Sequence, residues 1–146
     1  MNMKKILVLC TGNSARSQLA QGYLQYFAGL RAEVYSAGVD PKGGSPVAVQ
    51  TMAEDGIDIA HHTSDHVDQY ADMAFDYVIT VCDHAREQCP HFPNAGQLIH
   101  QSFTDPGHVA GEDLLTSFRN VRDEIKSFSK AFVATHLADS QESQNA

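Results

Sequence analysis

The apolar run Ile6-Leu7-Val8-Leu9 leads into Cys10-Thr11-Gly12-Asn13-Ser14-Ala15-Arg16-Ser17, and a helical pattern begins directly behind it. A buried strand, a loop of small residues and a helix in immediate succession leave few architectures open, because this is the opening of a crossover unit in a parallel sheet. The loop constrains chemistry as well. Its small residues let several backbone N–H groups converge, and the helix start adds the positive end of its dipole, so Thr11, Gly12, Asn13, Ser14, Ala15 and Arg16 read as a cradle for a tetrahedral anion. Arg16 supplies a forked, permanently charged donor and Ser17 a hydroxyl. The same field favours Cys10 as thiolate, the reactive form.

Two plainer readings compete. A cysteine followed six positions later by an arginine arises often by chance, and here it is the preceding strand, Gly12 and Asn13 within the loop and the helix beyond that set it apart. A lipoprotein processing site at Leu7-Val8-Leu9-Cys10 behind Lys4 and Lys5 fails on length, since the apolar stretch is shorter than the roughly 7 to 15 residues a signal peptide needs.

Apolar runs rich in β-branched residues alternate with helical patterns along the rest of the chain. Strands are predicted at Lys5 to Leu9, Ala32 to Ala37, Tyr77 to Val81 and Gln97 to His100. A helix from Ser17 to Ala28 puts Leu19, Tyr23, Leu24 and Phe27 on one face and stops at Gly29. A second runs through Val47, Val49, Met52 and Ala53 to Gly56, and a short one covers Val67 to Ala71. The last is long, from Glu112 to Leu137, with acids expected in its first turn. The alternation implies a parallel sheet covered on both faces, with function at the carboxyl ends of its strands. The 146 residues are expected to form one domain over 1–137, followed by a polar tail over 138–146.

Ten Lys and Arg against eighteen Asp and Glu give a net charge of -8, which argues against nucleic acid or an anionic membrane as partner, so anion binding has to be local. No stretch approaches the apolar length of a membrane span. An odd number of cysteines, three, with no secretory segment, points to a reducing compartment, and the chain is expected in the cytoplasm.

The third predicted strand runs straight into Cys82, so two strands end in cysteine at the same edge of the sheet. If those strands are neighbours, they lie about 4.8 Å apart, within the Cα separations of about 4.4 to 6.8 Å that a disulfide requires. Cys89 follows seven residues after Cys82, across a stretch, Asp83 to Gln88, that reads as a short helix. Along a helix that step rises about 10.5 Å, so a Cys82 to Cys89 bond needs the segment to unwind. Both thiols as small buried hydrophobes is the plainer alternative. His61, His62 and His66 cluster in sequence, with His62 and His66 at a spacing a metal could use, but the stretch reads as a polar surface loop and no metal is expected.

Over residues from about Lys5 to the end of the last helix, the chain resembles the low-molecular-weight phosphotyrosine phosphatase fold, and within it the thioredoxin-coupled arsenate reductases. The resemblance rests on Cys10 to Gln18, Val34-Tyr35-Ser36-Ala37-Gly38, His62-Thr63-Ser64-Asp65, Val81-Cys82 with Cys89-Pro90, Asp105-Pro106, and Val121-Arg122-Asp123-Glu124-Ile125. It implies an α/β three-layer sandwich with a four-stranded parallel sheet of order 2-1-3-4. It assigns Cys10 as the nucleophile on arsenate, Arg16 and the loop N–H groups as its holders, Ser17 as a hydrogen-bond donor to the thiolate and Asp105 as general acid. Cys82 then attacks the Cys10–arsenic adduct and Cys89 attacks next, leaving a Cys82–Cys89 disulfide for thioredoxin to reduce. Phosphate and sulfate are the expected competing anions, no tightly bound cofactor is implied, and a monomer is expected.

Some departures bear on these expectations. Many relatives carry a cysteine where Ala15 stands, outside the relay. Some bind potassium through residues matching Asn13, Ser36 and Asp65 with an acid where this chain has Gln21, which puts the ion in doubt. Tyrosine phosphatases of the fold place an aromatic residue after the Asp-Pro pair, where this chain has Gly107, and that suits a small inorganic oxyanion. The alternatives are a phosphatase for phosphotyrosine or small phosphate esters using Cys10, Arg16 and Asp105, and a non-catalytic anion-binding module. The second needs neither the thiol nor the acid.

Overall fold

Ile6, Leu7, Val8 and Leu9 are all fully buried, and because successive strand residues point to opposite faces, the sheet at this strand is covered on both sides. The computed structural model describes residues 3–12, 15–41, 43–82, 95–108, 111 and 113–137. Within them lie β1 (Lys4–Cys10), α1 (Arg16–Ala28), β2 (Ala32–Gly38), α2 (Pro46–Glu54), β3 (Tyr77–Thr80), β4 (Gln97–His100) and α3 (Leu114–His136). The four strands are all parallel in the order β2-β1-β3-β4, as the resemblance implies. The order reverses at β1, where successive crossovers leave in opposite directions, and the crevice at its carboxyl end is the expected place for a ligand.

Local chemistry sets the element ends. Ser45 caps α2 by accepting the Ala48 N–H, with Pro46 in the first turn. Gly29 at the end of α1 takes φ +58°, a conformation glycine adopts without penalty, and a 3-10 turn over Gly29–Arg31 follows. The last helix differs from the sequence expectation: it starts at Leu114, and its acid is the cap, Asp113 accepting the Thr116 N–H, with none in the first turn. The segment at Val67–Tyr70 is a single 3-10 turn and β3 ends one residue early, at Thr80.

Along α3, Phe118, Val121, Ile125, Phe132 and Val133 are buried, as their spacing predicts. Its polar face is tied to α2: Arg119 forks onto Glu54 at 3.0 and 2.6 Å, and Arg122 reaches the Thr51 carbonyl at 3.0 Å and Glu54 at 2.9 Å. The Val121 to Ile125 motif is thus an element that packs α3 and docks it on α2. Tyr23 of α1 joins the same network through its hydroxyl, 2.7 Å from Asp55, and burial together with that carboxylate pushes its ionisation up.

Gly22 marks a close approach of α1 to its neighbours. A Cβ there would lie 2.7 Å from Met52 Cε and 2.9 Å from Ile59 Cγ2. Gly22→Ala is expected to cost about 1–3 kcal/mol by overpacking, read as a melting temperature lower by several degrees. An unchanged melting curve would mean that Met52 swings aside without loss.

Candidate active site

Cys10 is the last residue of β1, and Cys82 stands two residues beyond β3. The two strands are neighbours, Leu9 opposite Thr80, and the Val81 N–H donates to the Leu9 carbonyl at 2.9 Å, so both thiols leave the sheet at one edge. Each is buried and neither is in a disulfide. The Thr11 hydroxyl lies 3.2 Å from Cys82 Sγ, and the Cys10 and Cys82 side chains are themselves hydrogen-bond partners.

This proximity changes the electrostatics anticipated from the loop alone. The Cys82 sulfur and burial push the Cys10 thiol up, while the Arg16 guanidinium and the Ser17 backbone N–H pull it down. The upward contributions dominate in this arrangement, because a second sulfur next to a buried one disfavours placing charge there. Sequence reasoning, seeing only the loop, anticipated the downward pair. Cys82→Ala removes the largest upward contribution, so Cys10 alkylation by iodoacetamide at neutral pH is expected to accelerate, by about ten-fold for each pKa unit recovered. An unchanged or slower rate would contradict this account of Cys10.

Arg16 opens α1. Its Nη1 donates to the Phe103 carbonyl at 3.0 Å, and its Nη2 lies 3.8 Å from Asp105 Oδ2. The guanidinium therefore joins the loop to the segment after β4, which brings Cys10, Arg16 and Asp105 to one rim. Asp105 is held by a local turn, its Oδ1 accepting the Gly107 N–H at 3.0 Å. Ala15, at the N-cap of α1, makes no side-chain cap, so the first N–H groups of the helix are left without one.

The loop is held from outside by residues scattered in sequence. The Val39 and Asp40 N–H groups donate to the Cys10 and Thr11 carbonyls at 3.2 and 2.8 Å, and Ser64 Oγ donates to the Gly12 carbonyl at 3.1 Å. Gln18, in the first turn of α1, donates to the Thr63 carbonyl at 2.9 Å, and its Oε1 meets His62 Nδ1 at 2.7 Å. An amide oxygen only accepts, so His62 carries its proton on Nδ1. Burial, then the neighbouring His61, lower the His62 pKa to about 4, so the ring is neutral around neutral pH. These supports were given no role from the sequence, although Gln18, His62, Thr63 and Ser64 stand inside quoted motifs. The Phe103 carbonyl carries no sequence signal, because any residue there offers one.

Asn13, Ser14, His84 and Cys89, with the predicted helix at Asp83 to Gln88 and the tail over 138–146, lie outside the described residues. His61 and His62 stack edge to face at 4.8 Å, and His66 Nδ1 accepts the Asp68 N–H. Among the described residues, no group of three or more His, Cys, Asp or Glu side chains is arranged to hold a metal ion, and no helix is long and apolar enough to cross a membrane.

The strand order and the Cys10-to-Arg16 loop at the end of a central strand define a class of α/β folds built around a thiol-bearing oxyanion loop. Within that class the chain belongs to the low molecular weight phosphotyrosine protein phosphatase family, whose model matches residues 5–143. It is similar to the arsenate reductase of Halalkalibacterium halodurans, 44% identical over 92% of this chain and 99% of that protein. The arsenate reductase of Bacillus subtilis is 42% identical, again over 92% of this chain and 99% of its own. Among solved structures, an arsenate reductase in the phosphate binding state superposes with a TM-score of 0.80 at 30% identity, covering 91% of this chain and 98% of its own.

Proposed function

We propose that the chain is an arsenate reductase working through Cys10, Cys82 and Cys89, with thioredoxin as reductant. The observation that carries this reading is the contact between the Cys10 and Cys82 thiols at the ends of adjacent strands. A phosphatase needs one thiol at such a site; a reductase that passes electrons through a disulfide needs two within reach of each other. The similarity to curated arsenate reductases over nearly the whole chain supports the same substrate.

In the first step the Cys10 sulfur attacks arsenic, an oxygen leaves as water with a proton delivered through Asp105, and a thiol-linked arsenic(V) adduct forms. Arg16 and the loop N–H groups hold the arsenic-bound oxygens and offset their charge. A raised Cys10 thiol has its proton still to give, and the bound oxyanion is a base beside it. Next, the Cys82 thiolate attacks the Cys10 sulfur. A sulfur–sulfur bond forms, the sulfur–arsenic bond breaks, and its electron pair stays on arsenic, which leaves as arsenite. Cys89 then attacks Cys82, releasing Cys10 as thiolate, and the Cys82–Cys89 disulfide takes two electrons from the thioredoxin dithiol.

The second reading is hydrolysis of phosphotyrosine or a small aryl phosphate through a phosphocysteine, favoured by the family description and by the shared rim of Cys10, Arg16 and Asp105. Against a peptide substrate stands Gly107, which bonds back to Asp105 and offers no ring to stack on the substrate phenyl group. The two readings separate in one assay. NADPH oxidation with thioredoxin and thioredoxin reductase is expected to depend on arsenate and to saturate with it. Absence of arsenate-dependent oxidation alongside rapid aryl phosphate hydrolysis would establish the phosphatase.

A further inference from the structure

β2 is an edge strand, and an unpaired edge exposes backbone donors and acceptors that must be covered. Two glutamines one turn apart on α1 cover it. Gln25 Nε2 donates to the Ala32 carbonyl at 2.9 Å while its Oε1 accepts the Val34 N–H at 3.0 Å, so one side-chain amide pairs as a neighbouring strand would. Gln21 takes the next position, its Nε2 donating to the Val34 carbonyl at 3.1 Å and its Oε1 accepting from Ser36 Oγ at 2.6 Å. Further along, the Gly38 N–H donates to the Asp65 carbonyl at 2.8 Å.

Beside this edge lies a polar cavity of about 390 Å³ whose walls include Gln21, Ser36, Thr63, Asp65 and Tyr70. This is where the resemblance puts a potassium ion in some relatives, and the residues of that set that the structure describes, Gln21, Ser36 and Asp65, do not fit one. A weakly bound monovalent cation relies on carboxylate charge and on neutral oxygens turned toward it. Position 21 brings no charge. Its amide cannot turn toward the cavity without giving up the Val34 carbonyl, and its oxygen already receives the Ser36 proton. Asp65 Oδ2 is occupied as well, accepting from Thr63 Oγ1 at 2.9 Å and Tyr70 Oη at 3.0 Å.

We infer that the Gln21–Ser36 hydrogen bond takes the structural place of a monovalent cation, tying α1 to β2 beside the oxyanion loop, so that the fold and the loop are independent of potassium. The tie acts on the helix whose first turn presents Arg16 and Ser17. It does so whichever oxyanion the loop receives, so the inference does not rest on the arsenate reading.

The test is a melting temperature for the whole chain in potassium, sodium and N-methylglucamine chlorides at equal ionic strength. The unaltered chain is expected to melt within about 1 °C in all three. Gln21→Glu restores the second carboxylate and is expected to gain a potassium-specific rise of several degrees. Ser36→Ala is expected to melt lower by the same amount in every salt. A saturable, potassium-specific rise in the unaltered chain overturns the inference, and so does a folded Gln21→Glu variant as indifferent to potassium as the parent. No outcome depends on arsenate turnover, so failure here leaves the proposed reaction untouched.

Discussion

Cys82→Ser is expected to abolish arsenate-dependent NADPH oxidation, a fall of at least about 10³-fold, while aryl phosphate hydrolysis is kept or rises, since the sulfur that pushes the Cys10 thiol up is gone. The two halves of the expectation have separate causes. Serine keeps the volume and a hydroxyl at the end of β3, so the loop, Arg16 and Asp105 stay where they are. What is lost is the thiol that, among the described residues, Cys10 touches and that can take up a sulfur–sulfur bond; without it the electron pair of the sulfur–arsenic bond has no route to arsenic. A drop in both activities together would place Cys82 in support of the loop and leave the relay without its second thiol.

Arg16→Ala is expected to lower kcat/KM for arsenate by about 10²–10³-fold. On the proposed reading Arg16 has two employments: its fork would be the charged part of the oxyanion cradle, while its Nη1 holds the Phe103 carbonyl in the segment that carries Asp105. Removing the side chain costs charge stabilisation and also loosens the acid. Arg16→Lys separates them, since an ammonium keeps the charge but cannot bind an oxyanion and a carbonyl as one planar fork. Its kcat/KM is expected to fall less than that of the alanine variant. Arsenate binding by calorimetry should weaken in both, and equal binding in parent and Arg16→Ala would remove Arg16 from the cradle.

Much of this was legible in the sequence because it depends on local pattern. The run Ile6 to Leu9 reads as a strand buried on both faces, and the spacing from Phe118 through Val121 and Ile125 to Val133 gives the inner face of the last helix. That two strands end near cysteine was visible too; that the strands are neighbours is a tertiary fact, supplied in advance only by resemblance. The start of the last helix was misjudged because Glu112 and Asp113 suit either a first turn or a cap, and the choice depends on whether the Asp113 side chain folds back onto the Thr116 N–H.

The larger discrepancy concerns Cys10. The loop sequence contains the groups that lower its pKa, whereas the group that raises it most, Cys82, is 72 positions away and meets it only once β1 and β3 pair. The glutamine pair on α1 was hidden for a similar reason. Gln21 stood out in the sequence only as a replaced acid and Gln25 not at all, and it is the edge of β2 that makes them hydrogen-bonding partners of Ala32, Val34 and Ser36.

The central claim is that arsenic is reduced by a disulfide forming between Cys10 and Cys82. Its most direct test is a single turnover of Cys89→Ser, which halts the relay one step early: the reduced variant receives one equivalent of arsenate without thioredoxin, and arsenite and disulfides are measured by speciation and peptide mass spectrometry. The account predicts arsenite approaching one per chain and a Cys10–Cys82 disulfide in the same proportion. Arsenate recovered unchanged with both thiols still alkylatable, or arsenite released without that disulfide, would contradict it.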